Sequence, residues 1–297
     1  MKITNVLGLP DALVRAVSND PYDPGTCQIS VTKLISPVQK VALELLHADE
    51  ITEDVSSRMF SLFGQCVHTI LSRAEVEAIS EKRLEITRQG WRLSGALDRL
   101  VISEGILQDY KVTGANSLRE GNGRAEWQSQ LNILATLLRE HGYTVNRLQV
   151  ICILRDWQAS HARSGGNYPQ NPVVVLDIPM WDPERCEMFI DERIRLHQAA
   201  REAAKNGKEL QECSPEERWA KADTWAVKKD RKVRAVRVFQ NEADAWGYLE
   251  IAGPKHSVQH RPGLNVRCSG FCPAAKFCQQ HLKSGGKAEV ADEADPG

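Results

Sequence analysis

Two apolar-rich runs, Trp91 to Ile102 and Ile106 to Val112, are separated only by Ser103-Glu104-Gly105. A glycine-containing interruption between strand-like runs specifies a β-hairpin. With Glu104 and Gly105 as the turn residues, Ile102 faces Leu107, Leu100 faces Asp109 and Asp98 faces Lys111. Side chains alternate with period two, so Asp98, Asp109 and Lys111 share one face of the hairpin. Directly opposed residues lie roughly 4.5–5.5 Å apart at Cβ and diagonal ones roughly 7–8 Å apart. Two carboxylates so placed can hold a divalent cation through oxygen, the ligand type magnesium and manganese prefer, while a neighbouring ammonium orients a water or offsets developing negative charge. The same spacing also describes a surface hairpin with a cross-strand ion pair worth under about 1 kcal/mol, so the surrounding chain has to decide.

A chain of 297 residues is long enough for one large domain with insertions or two smaller ones. The net charge of -1 excludes a globally basic nucleic-acid coat, and any DNA contact must come from local positive patches. There is neither an apolar run of membrane-spanning length nor a signal-peptide pattern, so a cytoplasmic protein with no membrane partner is expected.

Residues 1–27 carry no sustained period and read as an irregular lead-in, and residues 29–46 read as a short helix pair around Pro37. Thr52 is the expected cap of a helix whose apolar stripe runs through Val55, Met59, Leu62, Phe63, Cys66, Val67, Ile70 and Leu71. His68 falls off that stripe, with Gly64 one turn before it. It is either a solvent-exposed histidine or an imidazole aimed at the Asp98–Asp109 face, Gly64 permitting close approach. After the strands comes a polar loop and then a helix with Trp127, Leu131, Leu134, Leu137 and Leu138 on its apolar face. Gln130 falls inside that face and needs partners, because burying an unsatisfied amide costs roughly 1–3 kcal/mol. A backbone carbonyl or an active site could supply them. Leu148 to Leu154 and Val173 to Ile178 read as buried strands, and a helix capped by Asp182 runs from Pro183 to about Ala204. The succession predicts a mixed α/β core with helices flanking a sheet.

Residues 203–217 read as a polar linker. Beyond it Lys228, Lys229, Arg231, Lys232, Arg234 and Arg237, with Lys221, Trp219 and Trp225, make the one strongly basic stretch. Cations interleaved with aromatics suit phosphate contact and base stacking, and equally an ordinary solvated hairpin. Cys268, Cys272 and Cys278 fall within eleven residues, a crowding that in a reducing compartment favours metal over disulfides. The tail from Ser284 to Gly297 is expected to be disordered.

Taken in order, Gly64-x-x-x-His68, Glu81, Gly95-x-x-Asp98, Asp109-Tyr110-Lys111 and Gln130-Leu131-Asn132-Ile133-Leu134-Ala135 resemble the PD-(D/E)XK nuclease superfamily. Within it they are most similar to the RecB-like branch that includes CRISPR-associated and phage exonucleases. The resemblance covers roughly residues 60–155 and implies a restriction-endonuclease-like α/β core, with a small basic α+β insertion and a C-terminal cysteine clasp. It implies Asp98, Asp109 and His68 as ligands of Mg2+ or Mn2+, Glu81 as a lesser candidate, Lys111 as the catalytic lysine and Gln130 as the motif glutamine. The family's usual tyrosine four residues after the glutamine is replaced here by Leu134.

Iron–sulfur members of the branch carry one early cysteine and three late ones. That pattern implies a 4Fe-4S cluster on Cys268, Cys272 and Cys278, with Cys27 as the natural fourth ligand. His281 offers the rival of a closed zinc site. The expected divisions are a nuclease core over 1–206, a basic hairpin–helix insertion over 207–254, a cysteine segment over 255–283 and the tail. The expected activity is metal-dependent hydrolysis of DNA by an exonuclease acting in replication, recombination or repair, with a recombination or helicase protein as a further candidate partner. A non-catalytic DNA-binding adaptor on the same fold is the alternative.

Overall fold

The computed structural model describes residues 2–19, 27–73, 78–121 and 123–285. Its architecture is mixed α/β. The elements that matter here begin with β1 (Ile29–Ser30), α1 (Val31–Ile35), α2 (Val38–Leu46) and α3 (Met59–Leu71). Next come β2 (Ala78–Ser80), β3 (Arg83–Arg88), β4 (Trp91–Ala96), β5 (Arg99–Val101) and β6 (Ile106–Thr113). They are followed by α4 (Arg124–Glu140), β7 (Arg147–Leu154), β8 (Val173–Ile178) and α5 (Pro183–Lys205). A five-stranded sheet has the order β8-β7-β6-β5-β2, and its β6–β7 pair is parallel. A three-stranded sheet has the order β1-β4-β3.

The run expected as one strand from Trp91 to Ile102 is divided between these two sheets. β4 pairs with β3 and β1, whereas β5 pairs with β6 and β2. Both arms bend at the same level, where Leu97 N–H donates to Lys82 O and Glu81 N–H donates to Asp98 O. Glu81 takes up the bend with φ of 52°, a left-handed conformation uncommon for a non-glycine residue. Period-two patterning reports which face a side chain occupies but not which sheet its strand joins, so the sequence could not disclose this break.

The hairpin register is also corrected. Leu100 pairs with Leu107 and Arg99 with Gln108, leaving Ile102 to Gly105 in the turn. This is a shift of two from the expected pairing, and a shift of two preserves the faces.

Helix α4 is buried continuously from Leu131 to Leu138, as befits a helix packed on more than one side. Leu131, Leu134 and Leu137 join Leu93, Leu97, Leu100, Leu107, Leu148, Ile190 and Ile194 in the main core. Gly95 permits this packing, since a Cβ there would lie 2.5 Å from Leu134 Cδ2 and 2.8 Å from Val31 Cγ2. Helix α5 starts as expected, with Asp182 Oδ1 accepting from Arg185 N–H at 2.8 Å.

Several expectations are revised. The lead-in contains a strand at Lys2–Thr4 and a helix at Asp11–Ser18, and the strand pairs with Thr52–Asp54, so Thr52 does not cap a helix. Asp54 caps the following turn, accepting from Ser56 N–H at 3.0 Å. The stripe on α3 is not core: none of its described residues is buried, and Phe60, Phe63 and Ile70 are more than half exposed. The basic unit extends past residue 254. β9 (Thr224–Lys229) pairs with β10 (Ala235–Phe239) on one side and with β11 (His256–Arg261) on the other. Of the tail expected to be disordered, residues 286–297 lie outside the described residues.

His197 on α5 couples this core to pH. It is 4% exposed, and its Nε2–H donates to Leu34 O at 3.0 Å. Burial, then the nearby Arg193 and Arg201 charges, lower its pKa from 6.5 to about 4, against the pull of the Leu34 hydrogen bond. A depressed histidine pKa means that the unfolded chain takes up the proton first. Stability should therefore fall as pH drops from about 6.5 toward 4, by about 3 kcal/mol if His197 acts alone. Urea unfolding across that window should show wild type losing more stability than His197→Gln; equal losses would contradict this role.

Candidate functional site

The bend between the two sheets is where the chemistry-bearing side chains meet. Asp98 stands at the break before β5, and its Oδ2 accepts from Tyr110 N–H at 2.7 Å. Asp109 and Lys111 leave β6 on the same face, two residues apart. Lys111 Nζ lies 2.8 Å from Asp109 Oδ2 and donates to Asp109 Oδ1 at 3.1 Å and to Gln130 Oε1 at 3.2 Å. Gln130 closes the triangle by donating from Nε2 to Asp109 Oδ1 at 3.0 Å. This accounts for an amide on an otherwise apolar helix face: its partners are the buried carboxylate and the ammonium.

From the other side α3 delivers His68, whose Nδ1 is 3.4 Å from Asp98 Oδ1 and 3.4 Å from Glu81 Oε1. Its ring also meets Tyr110 edge-on at 6.0 Å. His68, Glu81 and Asp98 each offer a ligand atom within 4.8 Å of the others, and among the described residues they are the one such set. Glu81 thus stands nearer the centre of the site than the sequence suggested, with Asp109 beside the set and tied to Lys111. The left-handed φ of Glu81 falls at this site, and strained backbone clusters where function over-determines it. Gly64 has no such role, because a Cβ there would meet nothing within 4 Å. Leu134, one turn after Gln130, belongs to the core and is 3% exposed.

Crowded negative charge controls the electrostatics. Burial, then the Asp109 charge, push the Asp98 carboxyl up to about 7, while His68, the Tyr110 N–H and Lys111 pull it back. Burial works to neutralise Lys111, but the Asp109 carboxylate outweighs it and the ammonium is held above the usual lysine value. Hydrogen bonding to Glu81, with the Asp98 charge, raises His68 against its own burial. Asp109 Oδ2 is buried and, apart from its ion pair with Lys111, accepts no aligned hydrogen bond. A carboxylate oxygen in that state, two more carboxylates and an imidazole suit a divalent cation with oxygen and nitrogen ligands.

A stability consequence follows. Because the folded protein holds the Asp98 proton above its ordinary value, ionising Asp98 destabilises the metal-free fold as pH rises from about 3.8 through about 7. At pH 7.5, Asp98→Asn is expected to raise the metal-free melting temperature by several degrees. If a divalent cation binds this set in the folded state only, Mn2+ should raise the wild-type melting temperature further, and Asp98→Asn should remove that rise. Thermal melts with EDTA and with Mn2+ check both; a lower metal-free melting temperature, or an undiminished response to Mn2+, would contradict the arrangement.

No family model matches the chain, and no curated protein matches it. Among solved structures it is similar to one described as the crystal structure of SSO0001, at 16% identity and a TM-score of 0.44, over 62% of this chain and 84% of that one. A likeness of that degree bears on neither fold nor chemistry, which rest on the residues themselves.

The cysteines assemble differently from expectation. Cys268, Cys272 and Cys278 line one small cavity with Cys213, which comes from the supposed linker. Cys213 Sγ and Cys278 Sγ both donate to Gln39 Oε1, at 3.4 and 3.5 Å. Burial first, then Glu217 and the charges of the other three cysteines, push Cys213 up to about 12, and burial pushes Cys272 up to about 11. Cys27 is not among the cavity-lining residues; its sulfur accepts from Ser94 Oγ at 3.1 Å, beside β4. The cysteine that stands with the late three is therefore Cys213 and not Cys27. His281 is buried and lines the same cavity, but four thiols are already present. The signal was available: one cysteine, a residue type that favours burial, in an otherwise polar stretch.

The basic residues Lys228, Lys229, Arg231, Lys232, Arg234 and Arg237 belong to β9, β10 and their connecting turn. All but the half-buried Lys228 are exposed. None of the six lines the groove that contains Lys111 and Gln130.

Among the described residues no helix is long and apolar enough to cross a membrane.

Proposed function

We propose that this chain is a metal-dependent DNA nuclease with a PD-(D/E)XK core of the RecB-like type, hydrolysing phosphodiester bonds at DNA ends. One observation carries the reading: Asp98, Asp109, Lys111, Gln130 and His68 come from four separate segments and meet at one bend of the sheet. A surface hairpin with an ordinary ion pair would not bury two like charges or recruit a glutamine from a core helix.

His68, Glu81 and Asp98, with Asp109 beside them, would hold Mg2+ or Mn2+. Such a cation polarises the phosphate and offsets the charge that develops in the transition state. Lys111, paired with Asp109 and braced by Gln130, remains an ammonium. It therefore acts by donating hydrogen bonds that orient the attacking water and the phosphoryl oxygen, not as a base. Asp109 fixes the lysine, and Asp98 is itself fixed by the Tyr110 amide. Because His68 must lose its proton to serve as a ligand, metal affinity should weaken on acidification.

The four cysteines are proposed to hold an iron–sulfur cluster. An all-thiolate set of four is the donor set that a 4Fe-4S cluster takes, with tetrahedral zinc as the rival for the same residues. The exposed cations of the β9–β10 hairpin are proposed to contact phosphates away from the cleavage site.

End-labelled DNA incubated with Mg2+ or Mn2+ tests the nuclease reading. Metal-dependent release of short products supports it, and binding of metal without cleavage of any DNA form would favour the adaptor alternative.

A further inference from the structure

Beside the catalytic lysine lies an open groove of about 320 Å³, whose lining includes Lys111, Gln130, Trp127, Trp219, Arg267 and Phe271. Its far wall is aromatic. The Trp219 and Phe271 rings lie 5.4 Å apart at an angle of 63°, and the Arg267 guanidinium sits over Trp219 at 4.1 Å. Both rings face solvent, Trp219 at 40% exposure and Phe271 at 63%. Large exposed aromatics grouped beside a polar site mark a binding surface more often than chance exposure.

Three further features show that this wall is held in place. Trp219 adopts φ of 51°, which for a bulky side chain is an outlier that the surroundings must impose. Arg267 is only 11% exposed and is ion-paired with Glu126 on α4, one turn before Gln130. The segments carrying the two rings are clamped by the cysteine region. Arg218 donates to Cys213 O at 3.2 Å and to Asn265 Oδ1 at 2.9 Å, and Arg267 N–H donates to Arg218 O. Phe271 itself lies between Cys268 and Cys272.

Resting on the nuclease reading above, we propose that Trp219 and Phe271 form a nucleobase-stacking platform that seats a single-stranded DNA segment beside the scissile phosphate, and that the four-cysteine cluster holds this platform in place. The occupant follows from the wall's chemistry. Aromatic faces accept any base whose own face is free, which single strands offer and a paired duplex does not. Lys111, proposed above to donate to a phosphoryl oxygen, lines the same groove, while Arg267 is already paired with Glu126 and braces the Trp219 ring.

The test is equilibrium binding of fluorescein-labelled oligo-dT by anisotropy, with Ca2+ replacing Mg2+, compared with the same oligonucleotide made abasic and with a blunt duplex. Trp219→Ala and Phe271→Ala are each expected to weaken oligo-dT binding about tenfold, while Trp219→Phe stays within about twofold of wild type. The abasic strand and the duplex should register little of either loss, and removing the cluster should reproduce the loss on oligo-dT. Phe271→Leu, at a largely exposed position, serves as a second variant whose fold is not in question, and it too should bind weakly.

Binding within twofold in both alanine variants would overturn the platform. So would equal losses on the abasic strand, or losses seen on oligo-rU but not oligo-dT. Absence of metal-dependent cleavage in wild type, with the stacking losses intact, would remove the nuclease reading and leave the platform standing.

Discussion

Replacing Lys111 by alanine is expected to lower DNA cleavage by roughly 10²- to 10³-fold, the range typical of removing a transition-state hydrogen-bond donor. The change does more than delete a charge. It leaves Asp109 Oδ2 with no ion-pair partner and Gln130 Oε1 without its donor, in a site where Asp109 is only 3% exposed. Lys111→Arg should not restore the rate, because a planar guanidinium cannot occupy the place of a point-like ammonium between Asp109 and Gln130. Asp109→Asn should be comparably damaging, since an amide neither binds the cation as a carboxylate nor holds the ammonium. Single-turnover assays with a labelled strand separate these losses from binding. Both variants cleaving at the wild-type rate would leave the site without its proposed chemistry.

The second large effect concerns the cysteines. Cys213→Ser is expected to abolish the broad visible absorbance of anaerobically purified protein, whereas Cys27→Ser leaves it intact. Losing a structural metal ligand belongs to the few mechanisms that cost more than about 4 kcal/mol. At roughly 2–4 °C per kcal/mol for a domain of this size class, the melting temperature should fall by about 10 °C. The cost would be large because a group held by these cysteines would join distant parts of the chain. Cys213 and Cys278 meet at Gln39 on α2, and Lys276 donates to Glu50 O at 2.8 Å. A colourless protein carrying one zinc would assign the same four residues to a different metal. Loss of colour on Cys27→Ser with retention on Cys213→Ser would reverse the ligand assignment.

What could be foreseen depended on the range of each signal. Period-two alternation around Ser103-Glu104-Gly105 placed Asp98, Asp109 and Lys111 on one face, and that survived an error of two in register because parity was unchanged. The angular position of His68 off its helical stripe, and of Gln130 within one, likewise pointed to partners that the fold supplies. Those inferences use spacing along a single element.

The misses involve pairings between distant segments. Nothing local in Trp91 to Ile102 reveals that it leaves one sheet for another at Leu97, or that Glu81 bends opposite Asp98 to bring its carboxylate to His68. Nothing local in His256–Arg261 reveals a strand partner at Thr224–Lys229. The α3 stripe shows the opposite failure: its apolar period is real, but its members Phe63 and Ile70 remain exposed. Cys27 was favoured by its place in the sequence, whereas which cysteine joins the late three depends on where α2 and the 206–219 segment bring Gln39 and Cys213.

The central claim is that one bound divalent cation, held where Asp98, Glu81 and His68 converge beside Asp109 and Lys111, makes this chain a phosphodiesterase. Single-turnover cleavage of end-labelled DNA during a Mn2+ titration, in wild type and Asp98→Asn, tests it most directly. The account predicts no cleavage in EDTA, a saturable rise with Mn2+ in wild type, and no measurable rise in Asp98→Asn, although that variant melts higher than wild type without metal. Cleavage that persists in EDTA, or an Asp98→Asn titration matching wild type, would contradict it.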